Sequence, residues 1–206
     1  MKSKVLPKGM WSKSIHYFYS LKNQNYCWCE SMLERDALLV MEFDDDIERY
    51  KTQPISIQYK NAIGKVCRYT PDSLLKRKSS AEFVFREVKM SNRVNEELKA
   101  KFALINRQIM RTYDSHLEII TDGDIRVGKR IDNLKVLYSY RRVDVNKPDA
   151  MEIMKALPQE LCYGDLIDCA KRLAARDVTP LALLAHGYLS FDITSQLVDS
   201  TRIIKK

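Results

Sequence analysis

Asp72 and the triplet Glu87-Val88-Lys89 are the residues of this chain best suited to chemistry. Asp72 closes a β-prone run, Arg68-Tyr69-Thr70-Pro71-Asp72, and a short polar connection from Lys76 to Ser80 follows it. The next strand reads Ala81-Glu82-Phe83-Val84-Phe85-Arg86-Glu87-Val88-Lys89. Side chains alternate across a strand, so Glu87 and Lys89 share a face. A hairpin between the two runs returns Asp72 to the side of Glu87. Two carboxylates offer the hard oxygens that Mg²⁺ selects, and an ammonium beside them can steady a water or the charge growing on a phosphate. That is a kit for metal-assisted phosphodiester hydrolysis. Pro-Asp and Glu-x-Lys are common pairs, and alone they equally fit a turn with two solvated strand residues. The hairpin favours the catalytic reading.

Other chemistry-bearing residues have structural readings beside the functional ones. Ser31-x-x-Glu34 fits a capping box, with the Glu34 side chain bonded back to the Ser31 amide; Glu34 could instead point over the sheet at a metal. Glu42 and the acids Asp44 to Asp46 read as a solvated turn after a helix. Tyr69 is expected to pack beside the hairpin. His186 precedes a helix-ending glycine, where an imidazole can cover the last carbonyls. Five scattered cysteines and three histidines give no zinc spacing, since Cys27-Trp28-Cys29 is C-x-C with no histidine near it. Reduced thiols are the expectation.

These residues need elements to position them. Residues 1–25, with Trp11, His16, Tyr17, Phe18 and Tyr19, read as a basic, aromatic arm or lead-in. A helix is predicted from Met32 to Phe43, with Leu33, Ala37, Val40 and Met41 at helical spacing. Strands follow at Ile55 to Lys60, Val66 to Leu75 and Ala81 to Met90. A helix from Val94 to Tyr113 carries its apolar stripe on Leu98, Phe102, Ile105 and Ile109, and Lys99, Lys101, Arg107 and Arg111 lie outside the stripe. A strand from His116 to Thr121 completes an α/β unit with a mixed sheet flanked by helices over residues 1–121.

Residues 122–206 are mostly helical: Lys129 to Tyr140, a break at Asn146 to Asp149, then Met151 to Leu157, Tyr163 to Ala175 and Thr179 to Ala185. Two short β-prone runs, Tyr188 to Ile193 and Gln196 to Val198, make a small hairpin. Helices followed by a hairpin read as a winged-helix-like module.

The chain has 206 residues, 45% of them hydrophobic and 30% charged, as expected of a soluble globular protein of one large or two small domains. No apolar run approaches a membrane span, and the basic start at Met1 to Lys4 is not followed by an apolar stretch, so neither a membrane nor a secretory signal is expected. The formal charge of +8 favours a polyanionic partner.

With these pieces in place the chain resembles the TnsA family, the endonuclease subunits of heteromeric, Tn-seven-like transposases. The first half carries Ser31-Met32-Leu33-Glu34-Arg35, Met41-Glu42-Phe43-Asp44, Tyr50, Gln53-Pro54, Arg68-Tyr69-Thr70-Pro71-Asp72 and Glu87-Val88-Lys89 in the family's order and approximate spacing. The second half carries Ile119-Ile120-Thr121 and Ile131-Asp132-Asn133-Leu134-Lys135-Val136-Leu137-Tyr138. The resemblance implies a restriction-endonuclease-like domain followed by a winged-helix-like one. It also implies Mg²⁺-dependent cleavage, with Mn²⁺ a substitute, at the 5′ strands of transposon-end DNA. Catalytic positions carry over onto Glu34, Asp72, Glu87 and Lys89. Asp72 and Glu87 would bind the metal with the Val88 carbonyl, and Glu34 would hold a second ion or a coordinated water. Some members have Gln where this chain has Glu87, and a Glu there adds a direct ligand. Implied partners are a TnsB-like DDE transposase and a TnsC-like AAA+ ATPase docking on the C-terminal domain, at the bacterial nucleoid in the cytoplasm. The alternatives are a stand-alone restriction or repair nuclease of the same fold, and a non-catalytic winged-helix DNA-binding or docking protein.

Overall fold

The structure, a computed structural model, describes residues 15–206; Trp11 and the basic start at Met1 to Lys4 lie outside the described residues. The chain divides into two compact units after Ile125.

The first unit opens with an antiparallel hairpin, β1 (His16–Ser20) on β2 (Asn25–Cys29). His16, Tyr17, Phe18 and Tyr19 therefore belong to a strand and not to a lead-in. Alternation turns Phe18, Ser20, Cys27 and Cys29 inward and leaves Tyr17 and Tyr26 exposed. Both buried cysteines are free thiols, and burial pushes them up to about 11 and about 12 respectively, so they stay protonated at neutral pH.

Helix α1 (Met32–Phe43) begins where Ser31 Oγ accepts the Glu34 amide at 3.1 Å. It buries Leu33, Ala37, Leu38 and Met41, a stripe at helical spacing. Strand β3 (Ile47–Thr52) follows, although Ile-Glu-Arg-Tyr-Lys-Thr has no clean alternation to announce it. A bulge between Ile47 and Arg49 shifts the register, so Ile47 and Tyr50, three apart, both turn inward.

The single strand expected over Val66 to Leu75 is two. β5 (Val66–Tyr69) pairs with β4 (Ile57–Lys60) in a separate hairpin, whereas β6 (Ser73–Arg77) joins the main sheet. Pro71 lies between them, and a residue without an amide hydrogen interrupts a ladder. β6 pairs antiparallel with β3 and with β7 (Phe83–Lys89), and β7 pairs parallel with β8 (His116–Thr121). The sheet order is thus β3-β6-β7-β8. A parallel pair needs a crossover, which α2 (Glu96–Tyr113) supplies. Its Phe102, Ile105 and Ile109 pack on Phe85 of β7 and on Ile57 and Tyr59 of β4, closing one core. The short α3 (Asp122–Ile125) packs on β8 and α1 and goes with this unit.

The second unit contains α4 (Arg130–Tyr140), α5 (Pro148–Ala156), β9 (Glu160–Cys162), α6 (Tyr163–Arg172), α7 (Thr179–Ala185), β10 (Leu189–Ser190) and β11 (Arg202–Lys205). The break expected at Asn146 to Asp149 instead opens α5, because Pro148 sits in the first turn, where its missing amide costs nothing. Leu166, Leu183, Leu189, Ile153 and Ile203 are fully buried within the unit. The terminal hairpin pairs β10 with β11, not with the expected Gln196 to Val198. That segment is turn: Asp192 accepts from Thr194 and Ser195, and the Val198 amide donates to Thr201 Oγ1 at 2.8 Å. β11 also pairs antiparallel with β9, making a three-stranded sheet. His186 Nε2 meets the Val143 carbonyl at 2.9 Å, which ties it to the loop after α4 rather than to its own helix end. No helix among the described residues is long and apolar enough to cross a membrane.

Glu42 departs furthest from expectation. It is fully buried, and accepts hydrogen bonds from Ser20 Oγ at 2.8 Å, the Lys22 amide at 2.9 Å and the Tyr50 hydroxyl at 2.7 Å. One carboxylate thereby ties the β1–β2 turn and β3 to the end of α1. A solvated turn is excluded. Glu42→Ala removes the acceptor of three donors at once and should destabilise the protein by about 3 kcal/mol or more in urea unfolding. Glu42→Gln, which keeps one acceptor oxygen, should cost clearly less.

Candidate active site

The β6–β7 register positions the site. Ser73 pairs with Arg86, so Asp72, one residue before β6, stands next to Glu87. The Gln53 amide donates to the Asp72 carbonyl at 2.9 Å and fixes the backbone there. Asp72 Oδ2 accepts the Val88 amide at 2.8 Å, which holds the carboxylate against the end of β7. Glu87 is buried. Its two oxygens are held separately: Lys89 Nζ donates to Oε1 and the Tyr69 hydroxyl to Oε2. Lys89 Nζ also lies 3.2 Å from the Val88 carbonyl.

Tyr69 is the site residue that sequence reasoning missed. It was expected only to pack beside the hairpin, and its ring does pack edge-on against Phe102 with centroids 6.0 Å apart. Its hydroxyl does more. The available signal was its place at the end of a strand two residues before Pro71-Asp72.

Electrostatics mark the cluster as short of positive charge. Burial, then the charges of Glu87 and Glu34, push the Asp72 carboxyl up to about 8, and the Val88 hydrogen bond and Lys89 offset this only in part. Burial draws the Lys89 ammonium down, but Glu87 outweighs it and Lys89 stays above its usual value. The Tyr69 phenol is raised by burial and by Glu87, so it remains a donor.

Glu34 occupies its cap. Oε2 accepts the Glu30 amide at 2.9 Å and Oε1 the Ser31 hydroxyl at 2.8 Å, so the side chain folds back over the helix start, onto the amide before Ser31 rather than the Ser31 amide expected of a capping box. Its charge is nevertheless felt at Asp72 and Lys89. Asp72, Glu87, Val88 and Lys89 are thus brought together directly, and Glu34 reaches them through its field. Among the described residues no three His, Cys, Asp or Glu side chains are gathered closely enough to hold a metal.

The donor set nevertheless fits a hard divalent cation in kind. All the donors are carboxylate or carbonyl oxygens, and the Asp72 carboxyl is raised by burial and then by the charges of Glu87 and Glu34, which Lys89 offsets only in part.

A four-stranded mixed sheet with α1 and α2 packed on it, and carboxylates with a lysine at the end of its central hairpin, fit a restriction-endonuclease-like fold. Residues 44–122 match the family described as TnsA-like endonuclease N terminal, so this stretch is similar to a TnsA-type endonuclease domain. The matched stretch contains Tyr69, Asp72, Glu87, Val88 and Lys89, and Glu34 precedes it. No curated protein matches the chain.

The Asp72 shift has a definite sign. Its folded value of about 8 lies above the ordinary 3.8, so the native state holds the extra proton between these limits. The stabilisation is complete below about pH 4 and is lost as pH rises through 8. Thermal unfolding in EDTA should therefore show stability falling across that range. Asp72→Asn, which keeps an acceptor for the Val88 amide, should flatten the fall and exceed the wild type at pH 8 by about 1 kcal/mol or more. Parallel profiles for the two proteins would remove Asp72 as the cause.

Proposed function

We propose that the chain is a metal-dependent DNA endonuclease that cuts the 5′ strands at transposon ends in a heteromeric transposition system. One juxtaposition supports this most: Asp72, Glu87 and Lys89 meet at the end of β7 inside the stretch that is similar to a TnsA-type endonuclease domain. Mg²⁺, with Mn²⁺ as substitute, would supply Lewis acidity toward the phosphate when bound. Asp72 and Glu87 would hold it, with the Val88 carbonyl beside them. The Val88 amide and the Tyr69 hydroxyl each occupy one carboxylate oxygen and fix how Asp72 and Glu87 face the substrate. Lys89 would turn from Glu87 to the phosphate oxygens or the attacking water, offsetting charge where it develops. Glu34 would join a second ion only by leaving its cap.

The second unit supports a winged-helix reading by its order α5-β9-α6-α7-β10-β11, in which the first strand pairs with the last strand of the terminal hairpin. It would dock a TnsC-like AAA+ ATPase, and a TnsB-like DDE transposase would cut and join the other strands. The domain match favours this over a stand-alone restriction or repair nuclease. A non-catalytic scaffold is the second reading, favoured by the commitment of both Glu34 oxygens to the cap.

Nicking of supercoiled plasmid, with Mn²⁺ titrated into the protein calorimetrically, separates these readings. Lys89→Ala should bind the ion within a few-fold of wild type and lose about 10²-fold or more in rate. Asp72→Ala should lose both. With the transposase partners present, Asp72→Ala should still join element to target, but simple insertions should give way to donor–target fusions, seen by sequencing both junctions. Wild-type nicking rates for Lys89→Ala and Asp72→Ala, with simple insertions retained, would leave the scaffold reading standing.

A further inference from the structure

A cleft of about 580 Å³ runs between the β4–β5 hairpin and α2, away from the carboxylates. It is lined by Gln58, Lys60, Asn61, Arg107, Gln108 and Arg111, together with Tyr59, Val66 and Leu104. No acidic residue lines it. Arg107 and Arg111 stand one turn apart on α2 and are exposed, so both guanidinium groups project along one rim. Lys60, at the end of β4, also lines the cleft and is exposed. The Asn61 side-chain oxygen is engaged by the Ile63 and Lys65 amides, at 3.2 and 2.9 Å, which directs its NH₂ to donate. Cations and amide donors beside apolar side chains match a chain whose units alternate an anionic phosphate with a deoxyribose ring.

The cleft is joined to the carboxylate site by covalent structure. Strand β5 runs from Val66, which lines the cleft, to Tyr69, whose hydroxyl holds Glu87. Three residues of extended chain span about 10 Å, a reach of about one to two nucleotides along one DNA strand. The geometry points to this cleft as a track for the sugar-phosphate backbone of DNA, gripping the strand whose phosphate is presented to Asp72 and Glu87. The assignment rests on the reading of DNA as the substrate. It adds the surface that delivers DNA to the site, using arginines outside the catalytic cluster.

The test is DNA binding by the full chain in EDTA, where cleavage does not intervene, with a fluorescein-labelled duplex followed by anisotropy over a range of salt. Arg107→Ala/Arg111→Ala should weaken binding about tenfold or more and reduce the log–log salt slope by about 2, the loss of two phosphate contacts. The control is Lys99→Ala/Lys101→Ala, which removes the same charge from the same helix outside the cleft, and it should change both quantities much less. Equal effects of the two double variants would reduce the cleft to general charge and overturn the assignment. So would an Arg107→Ala/Arg111→Ala protein that binds DNA normally but fails to hold an acidic protein partner. A wild-type protein that nicks plasmid normally while the cleft variant also binds normally would sink the track and leave the nuclease. A wild-type protein that neither binds nor nicks DNA would sink both.

Discussion

The hydrogen bond from the Val88 amide to Asp72 Oδ2 joins two parts of the chain that have different tasks. β7 is a buried strand at the centre of the sheet, and its place is fixed by β6 on one side and β8 on the other. Asp72 lies where the chain leaves the β4–β5 hairpin and enters that sheet. Because the register sets Ser73 opposite Arg86, the backbone amide of Val88 is the donor within reach, and the carboxylate is held without using a catalytic side chain. A slip of one residue would turn Glu87 and Lys89 to the other face and leave Asp72 without its donor.

That arrangement gathers negative charge in a poorly hydrated place. Burial first, then the charges of Glu87 and Glu34 against a single ammonium, push the Asp72 carboxyl up to about 8. Structural carboxylates in the same unit behave otherwise. Glu118 is drawn below its usual value: burial raises it, but hydrogen bonds from Arg86 and Arg77 outweigh that. The contrast separates a carboxylate whose charge is matched by two arginines from one buried beside other carboxylates.

Helix α2 connects these features. It makes the crossover that the parallel β7–β8 pair requires, and it seats Phe102 against the ring of Tyr69, so the residue that orients Glu87 is itself oriented by the core. Its other face carries the arginines of the cleft. The packing that closes the domain and the basic edge of the cleft are opposite sides of one amphipathic helix.

Much of this was legible in the sequence. α1 and β8 fall at their expected limits and α2 within two residues of its start, because apolar spacing and capping residues are local signals. Asp72 beside Glu87 and Lys89 followed from strand alternation and a short hairpin. Other features depended on partners distant in the chain. The bulge hid β3, since a broken alternation can be read only against the neighbouring strand. Glu42 looked like one of several surface acids until Ser20, Lys22 and Tyr50 converged on it from other elements. Tyr69 looked like packing until the fold set its hydroxyl on Glu87. Glu34 had two readings, of which the residues alone favoured the cap and the family resemblance the metal, and the Glu30 amide and Ser31 hydroxyl hold it at the helix start. Sequence alone determined α1, α2 and β8 and which face of each helix turns inward, since these depend on neighbours a few positions away. Tertiary structure decided which carboxylate is a scaffold, which a cap and which a site, because burial and hydrogen-bond partners come from segments that meet only in the folded chain.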